Sequence, residues 1–258
     1  MPLDSAVDPD VAPFAFPGGP AGGGTGVLVV HGFTGSPFSV RPWGEHLAGV
    51  GFAVRGPLLP GHGTRWQDCN RSTEADWVGA AEAALTELRA ECDRVVVAGL
   101  SMGATIAIRL AELHPDAVAG LLLVNPSLLT ERPDAKLLPI LARITPRWKA
   151  IGNDIKKPGM DERAYPVLPT RAVLALDRLW TATRADLAQV TAPLLVFRSR
   201  TDHVVEPASA RVLLAGVHST DATEVVLEDS YHVATLDNDA PLIFARSAEW
   251  LRDRFPTR

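Results

Sequence analysis

Cysteine is scarce in this sequence: Cys69 and Cys92 are the only two among 258 residues. Two cysteines in a chain of this length do not form the disulfide framework that stabilises small secreted domains. We therefore expect two reduced thiols, with a cytoplasmic location as the default. Residues 1–21 also lack the basic stretch followed by an apolar stretch that a secretory signal requires.

Long apolar runs and an excess of basic charge are missing as well. No run of about 18 apolar residues occurs, so we expect no transmembrane helix. The formal net charge of −5 argues against a nucleic-acid partner, because such proteins carry a basic face. No Cys and His residues have zinc spacing, and the glycine-rich stretch 18–26 lacks the ending of a phosphate loop. We therefore predict neither a metal nor another cofactor.

Hydrophobic residues are plentiful, at 47% of the chain, which is enough to bury the core of one α/β domain. They fall into short Val- and Leu-rich runs that predict buried strands. The runs are Val27–Val30, Phe52–Val54, Arg94–Ala98, Leu121–Val124, Leu194–Phe197 and Thr223–Leu227, with a short edge strand at Phe14–Phe16.

Helical patterns alternate with these strands, which predicts a mostly parallel sheet with helices on both faces. The predicted helices are Val40–Gly49, Thr73–Ala90, Ser101–Leu113, Ala135–Ile144, Thr170–Arg184 and Pro241–Phe255. Thr73 and Asp76 are both candidate caps of the second helix.

The regular spacing stops after the fourth strong strand, and the next 60 or so residues contain no strong strand run. An insertion after the carboxyl end of a strand overhangs the ligand crevice of an α/β sheet. We therefore divide the chain into an N-terminal arm (1–25), a core (26–126 and 190–258) and a small cap insertion (127–189).

An apolar stripe at helical spacing lies within the predicted cap, at Ile140, Ile144 and Trp148. Such a stripe is used more often for packing against the core than for a ligand entrance. A tunnel entrance, or a face that meets micelles or membrane, is the alternative interpretation.

The segment Gly99-Leu100-Ser101-Met102-Gly103 follows a Val-rich strand and begins a helix. This is the context of the nucleophile elbow, a tight turn that exposes a serine hydroxyl in enzymes of the α/β-hydrolase fold. The two glycines lack the Cβ atoms that would clash in so tight a turn. The pattern predicts an α/β-hydrolase fold with Ser101 as the nucleophile.

A serine hydroxyl needs a base to become a good nucleophile. Asp202 follows the fifth strong strand and His232 follows the sixth, so the order along the chain is Ser, Asp, His, as this fold requires. We predict that Ser101 attacks, that His232 is the general base and then the general acid, and that Asp202 holds the correct His tautomer.

Other residues are weaker candidates for these roles. Asp229 and Glu228 lie too near the predicted base in sequence, and His203 adjoins the predicted acid. His31 and His62 stand beside glycines in loops and are expected to shape those loops. The predicted acid itself could be only a turn or cap residue, since Asp is common there.

Acyl transfer also requires hydrogen-bond donors for the oxyanion of the tetrahedral intermediate. One should be the backbone N–H of Met102, the residue after the nucleophile. The second should come from the loop His31-Gly32-Phe33-Thr34-Gly35 after the first strong strand, where Phe33 is placed to supply it. The ring of Phe33 could instead, or also, line an acyl pocket.

Five segments together resemble bacterial monoacylglycerol lipases and the closely related small carboxylesterases. They are HGFTG at 31–35, PGHGT at 60–64, GLSMG at 99–103, DHVV at 202–205 and SYHVATLD at 230–237. The likeness runs from about Val27 to the C-terminus and includes the cap segment 151–158. It implies the same triad and oxyanion donors. It also implies that Ile151 touches the substrate and that Glu162 hydrogen-bonds glyceryl hydroxyls.

The resemblance implies hydrolysis of monoacylglycerols to glycerol and fatty acid through an acyl-enzyme. The alternative is a generic carboxylesterase that acts on short-chain esters. The elbow and the triad also allow another α/β-hydrolase chemistry, such as C–C bond hydrolysis or perhydrolysis. A non-catalytic binding protein on this fold typically lacks a triad member, and none is missing here. We further expect a monomer or homodimer that makes transient contact with a micelle or membrane surface.

Overall fold

The computed structural model describes residues 9–133 and 138–256. Within them, seven strands form one sheet and two more form a separate ribbon. The strands are β1 (Phe14–Phe16), β2 (Thr25–Val30), β3 (Ala53–Gly56), β4 (Arg94–Leu100), β5 (Gly120–Val124), β6 (Arg147–Lys149), β7 (Val167–Pro169), β8 (Leu194–Ser199) and β9 (Ala222–Leu227).

The large sheet has the strand order β1-β3-β2-β4-β5-β8-β9. Six neighbouring strands pair in parallel, and β1 alone pairs antiparallel, with Phe14 opposite Gly56 at the edge. All six residues of β2 are buried, which is why its last four residues, Val27–Val30, form a continuous apolar run without polar alternation. The predicted mostly parallel sheet is confirmed.

Helices cover both faces of this sheet. The helices of the described residues are α1 (Arg41–Gly49), α2 (Trp66–Cys69), α3 (Glu74–Glu91), α4 (Met102–Leu113), α5 (Leu138–Ile144), α6 (Thr170–Asp186), α7 (Ala208–Gly216) and α8 (Ala240–Arg254). Leu28 and Val30 of β2 pack on the side of α3, α4 and α6. Val27 and Val29 pack on the side of α1 and α8. Alternate residues of the strand therefore pack into hydrophobic clusters on opposite faces of the sheet.

The predicted cap of α3 is present in full. Thr73 Oγ1 accepts a hydrogen bond from Asp76 N, and Asp76 Oδ2 accepts one from Thr73 N. Reciprocal capping of this kind satisfies two otherwise unpaired donors of the first turn, and such a cap contributes about 1 kcal/mol.

The chain between β5 and β8 contains α5, the antiparallel β6–β7 ribbon and α6. Sequence reasoning missed the ribbon, because strands of three residues are too short to show an alternating pattern. The predicted helix Ala135–Ile144 is observed as α5 from Leu138 onward, and residues 134–137 lie outside the described residues. Helix α6 packs against the core through Ala172, Ala175 and Leu179.

The apolar stripe of the predicted cap does not pack against the core. Ile140 is 59% exposed and Ile144 76% exposed on α5, and Trp148 is 52% exposed on β6. The three residues do not lie on one helix, because α5 ends at Ile144 and Trp148 lies on strand β6. The expectation of core packing was wrong for these three side chains.

Both cysteines are free thiols. Cys69 is buried, and burial raises the pKa of its thiol to about 12, which keeps it protonated and unreactive. Among the helices that the structure describes, none is long and apolar enough to cross a membrane.

Candidate active site

Ser101 occupies the sharp turn between β4 and α4. Its backbone has φ 56° and ψ −117°, a strained conformation for a residue with a Cβ atom. A Cβ on Gly99 would lie 2.3 Å from the carbonyl carbon of Gly103, and a Cβ on Gly103 would lie 2.1 Å from the oxygen of Val30. Neither contact is sterically allowed, so the turn requires glycine at both positions.

The backbone around Ser101 is anchored to neighbouring elements. Ser101 N donates to the carbonyl of Val124 at the end of β5, at 2.9 Å. Gly32 follows β2 on the other side, and a Cβ there would stand 3.4 Å from the Cβ of Ser101. The serine is 8% exposed, and its hydroxyl has no hydrogen-bond partner among the described residues. Catalytic hydrogen bonds often tighten only when substrate binds.

Asp202 and His232 come together from loops that follow adjacent strands, β8 and β9. Asp202 Oδ2 lies 2.8 Å from His232 Nδ1. The other carboxylate oxygen of Asp202 accepts hydrogen bonds from the backbone N–H groups of Val204 and Val205, both at 2.8 Å. The carboxylate accepts the Nδ1 proton in this geometry, which leaves Nε2 of the ring free to accept a proton.

Burial by itself would raise the pKa of Asp202, but the charge and hydrogen bond of His232 and the two N–H donors outweigh it, so the pKa lies below its ordinary value. Burial likewise opposes the charged form of His232, yet the charge and hydrogen bond of Asp202, with smaller contributions from Glu162 and Asp154, raise the pKa of that ring. The pair therefore stabilises an imidazolium.

The pH dependence of activity should follow from the raised pKa of His232. A general base accepts a proton only when neutral, so kcat/KM should rise with pH, with a midpoint above the ordinary value of 6.5. Initial rates from about pH 5 to about pH 9 measure this midpoint. A flat profile over that range would exclude His232 as the base.

The two expected oxyanion donors lie in two segments next to the serine turn, the start of α4 and the loop after β2. Met102 is the first residue of α4, where backbone N–H groups have no acceptor within the helix. Phe33 lies in the loop after β2, next to Gly32. In the part of the chain that the structure describes, neither N–H donates to a protein acceptor. The ring of Phe33 packs against Trp77 and His62, at centroid distances of 5.9 and 6.1 Å.

His31 and His62 are buried loop residues. His31 Nε2 accepts a hydrogen bond from Leu59 N at 3.1 Å, and its Nδ1 lies 2.9 Å from the carbonyl of Gly32. His62 Nδ1 lies 3.1 Å from the carbonyl of Pro60. Burial lowers the pKa of His31 to about 3 and that of His62 to about 4, so both rings are neutral and hold loops together.

The rival carboxylates form ion pairs on the surface. Glu228 pairs with Arg200, and Asp229 pairs with Lys156. His203 is also exposed, and its Nδ1 lies 2.7 Å from Asp154 Oδ1. No group of three or more His, Cys, Asp or Glu side chains in the described ranges is arranged to hold a metal ion.

Ile151 and Glu162 lie in the chain between β6 and β7. Ile151 is 47% exposed. Glu162 Oε1 accepts a hydrogen bond from Asn153 N at 2.7 Å, and Glu162 N donates to Asn153 Oδ1 at 2.9 Å. The Glu162 carboxylate acts electrostatically on His232, and its own pKa is raised because burial opposes its charge. The structure thus brings Glu162 towards the base and leaves Ile151 at the surface.

Sequence reasoning missed three residues that hold the site. Asn125, at the end of β5, donates through Nδ2 to the carbonyl of His232 at 2.7 Å. Asp154 accepts a hydrogen bond from His232 N at 3.2 Å. Tyr165 donates through its hydroxyl to the carbonyl of Gly61 at 2.7 Å. Nothing in the local sequence pattern marks these contacts, because each partner is at least 78 residues away in the chain.

A strained serine turn after a central strand of a parallel sheet, together with a buried Asp–His pair in the loops after two later strands, defines the class of α/β-hydrolase-fold serine hydrolases. The fold predicted from the elbow is therefore confirmed. Residues 25–239 match the family model Hydrolase_4, described as serine aminopeptidase, S33. The chain belongs to this family.

Similar proteins have lipolytic or esterase names. The thermostable monoacylglycerol lipase of Bacillus sp. (strain H-257) is 42% identical over 234 residues, which cover 88% of this chain and 90% of that protein. The carboxylesterase of Bacillus subtilis (strain 168) is 25% identical, covering 93% and 95% of the two chains. A solved structure from work on LipS and LipT, two metagenome-derived lipolytic enzymes, superposes with a TM-score of 0.91 at 39% identity, covering 96% of this chain and all of that chain.

Proposed function

We propose that this protein hydrolyses monoacylglycerols to glycerol and free fatty acid through an acyl-enzyme. The observation that carries the proposal is the contact between buried Asp202 and His232, in the loops after β8 and β9, together with the strained Ser101 turn after β4. The similarity to a monoacylglycerol lipase over most of both chains supports the choice of substrate.

The proposed mechanism assigns one role to each residue. Ser101 Oγ attacks the ester carbonyl carbon while its proton passes to Nε2 of His232. The N–H groups of Phe33 and Met102 stabilise the oxyanion, and the tetrahedral intermediate expels glycerol, which takes the proton from His232. Water then attacks the acyl carbon while its proton passes to the same ring, and collapse of the second tetrahedral intermediate releases the fatty acid and returns that proton to Ser101 Oγ. Asp202 holds Nδ1–H of His232 throughout.

We assign substrate contacts to the cap insertion 127–189. Only one carboxylate oxygen of Glu162 accepts a hydrogen bond from the described residues, so the other is available to a glyceryl hydroxyl. Exposed Ile151 supplies apolar contact nearby. The last helix of this insertion, α6, packs on the core, so the parts that could line an entrance are α5 and the β6–β7 ribbon.

We also infer transient contact of the cap with a micelle or membrane surface. This inference is supported by three exposed apolar side chains, those of Ile140, Ile144 and Trp148. The basic residues Arg143 and Arg147 lie between them in the sequence. A cytoplasmic location is consistent with two unpaired cysteines. A monomer, or a homodimer formed through another face, would leave this surface free.

Substrate preference tests the proposal. We expect monoolein to be turned over with a higher kcat/KM than triolein or p-nitrophenyl butyrate, because the cap offers both apolar contact and a carboxylate for free hydroxyls. Fatty acid release by the purified protein measures the first two, and p-nitrophenol absorbance the third. The Ser101→Ala variant supplies the background rate. Inert monoolein together with rapid cleavage of the short ester would favour the alternative, a generic carboxylesterase that acts on short-chain esters. The Bacillus subtilis relative is named a carboxylesterase.

A further inference from the structure

One carboxylate of the inserted segment contacts the loops of both Asp202 and His232. Asp154 Oδ2 accepts hydrogen bonds from the backbone N–H of His203 at 3.1 Å and from that of His232 at 3.2 Å. Its Oδ1 lies 2.7 Å from Nδ1 of the His203 ring. The side chain of Asp154 is only 9% exposed. This carboxylate therefore links the residue after Asp202 to His232 itself.

The main chain at His232 is held from opposite sides. Asp154 accepts from its N–H, and Asn125 donates to its carbonyl at 2.7 Å. The carbonyl of Asp154 also accepts a hydrogen bond from Val233 N at 3.1 Å. A loop residue held at both of its own peptide groups and at the next N–H has little freedom to tilt its side chain.

We propose that Asp154 is a positioning residue for the catalytic base: it seats His232 against Asp202 and supplies negative charge next to the imidazolium that forms during the reaction. This inference rests on the proposed function. It assigns Asp154 no contact with the substrate, since its hydrogen bonds go to His203 and His232.

Electrostatics add to the positional argument. The acidic groups that act on His232 are Asp202, Glu162 and Asp154, and each of them favours the charged ring. Charge-assisted hydrogen bonds to backbone N–H groups are roughly twice as strong as neutral ones. Removing the charge of Asp154 should therefore loosen the loop and make His232 a weaker base.

A second carboxylate fastens the same segment to the same loop. Asp237 accepts hydrogen bonds from Lys156 N at 2.7 Å, from Lys157 N at 2.8 Å and from Tyr231 N at 2.8 Å. Farther along the insertion, Tyr165 N donates to the carbonyl of Thr34, in the loop of the expected oxyanion donor. The insertion thus contacts both the loop of His232 and the loop of Phe33. Displacement of Asp154 would break the hydrogen bond that its carboxylate accepts from His232 N.

The test is the Asp154→Asn variant, in which the side chain keeps its shape and loses its charge. We expect labelling of Ser101 by a fluorophosphonate probe to slow by about tenfold to a hundredfold, because small displacements of a catalytic group have effects of this size. With monoolein, kcat should fall by a similar factor and KM should stay within about twofold. The midpoint of the acid limb of the pH profile should move to lower pH.

Asp161→Asn is the matched control. It makes the same charge change in the same part of the chain, where Asp161 Oδ1 accepts only the N–H of Arg163 among the described contacts. Its labelling rate should equal that of the unmodified protein. If Asp154→Asn is labelled at the same rate as the unmodified protein, or if only its KM for monoolein changes, the inference is wrong.

Two further results separate the ways in which the inference could fail. If Asp154→Asn does not fold, as judged by circular dichroism, His203→Ala removes the exposed ring partner and should slow labelling by at least about threefold. An unchanged rate in that variant would contradict the role of Asp154. If the unmodified protein is not labelled at all, the proposed function itself is wrong.

Discussion

Replacing Ser101 by Ala should lower kcat for monoolein by about 10⁵- to 10⁶-fold, because the variant has no atom that can form the acyl-enzyme. The residual rate would come from the oxyanion donors and from substrate binding alone. Fatty acid release measures the loss, and covalent labelling by a fluorophosphonate probe should disappear. The substitution removes one oxygen from a turn that the neighbouring glycines shape, so the thermal midpoint of unfolding should change little.

Ser219→Ala is the control for this result. Ser219 precedes β9, so it lies at the amino ends of the parallel strands, whereas the serine turn lies at their carboxyl ends. Its hydroxyl donates a hydrogen bond to the carbonyl of Asp221. Its activity and labelling should match those of the unmodified protein. Retention of labelling by Ser101→Ala would mean that another residue is the nucleophile.

The Asp202→Asn variant should have a kcat about 10⁴-fold below that of the unmodified protein. The amide can still accept the N–H groups of Val204 and Val205 through its oxygen. It then turns an NH₂ group towards Nδ1 of His232, which favours the tautomer with its proton on Nε2. A ring in that state cannot accept the proton of Ser101.

Glu228→Gln is the matched control for Asp202→Asn, because it neutralises a carboxylate close to His232 in sequence. Glu228 is exposed and paired with Arg200. Its kcat should stay within about twofold of the unmodified value, since exposed ion pairs contribute little. Equal losses in the two variants would show that net charge near the loop matters more than the contact at Nδ1. Full activity of Asp202→Asn would remove Asp202 from the proposed triad.

Strand and helix positions were largely predictable because they depend on local patterns. The Val-rich runs of β2 and β4 are buried on both faces, so their apolar character is unbroken in the sequence. Differences at most ends are one or two residues. The β6–β7 ribbon was not predictable, since each strand has only three residues and Trp148 pairs with Leu168 from a later part of the cap insertion.

The same distinction holds for the candidate site. Gly99, Ser101 and Gly103 are recognisable in the sequence because the turn itself imposes glycines at a fixed spacing around the serine. Asp202 and His232 were predictable from their order and from their places after strands. Their mutual distance required the structure, as did the partners of the rival residues: Glu228 and Asp229 pair with Arg200 and Lys156, and His203 contacts Asp154.

Local patterns thus let the sequence by itself determine the strands of the parallel sheet and the serine turn, and the order of Ser101, Asp202 and His232 along the chain made them the candidate triad. The tertiary structure alone decided that Asp154 and Asn125 hold the main chain of His232, and that Asn70 accepts hydrogen bonds from the first turn of α6 at Arg171 N and Ala172 N. It also decided that Ile144 is exposed. The physical reason is that hydrogen bonds and burial between distant segments depend on where the chain returns, which no local pattern specifies.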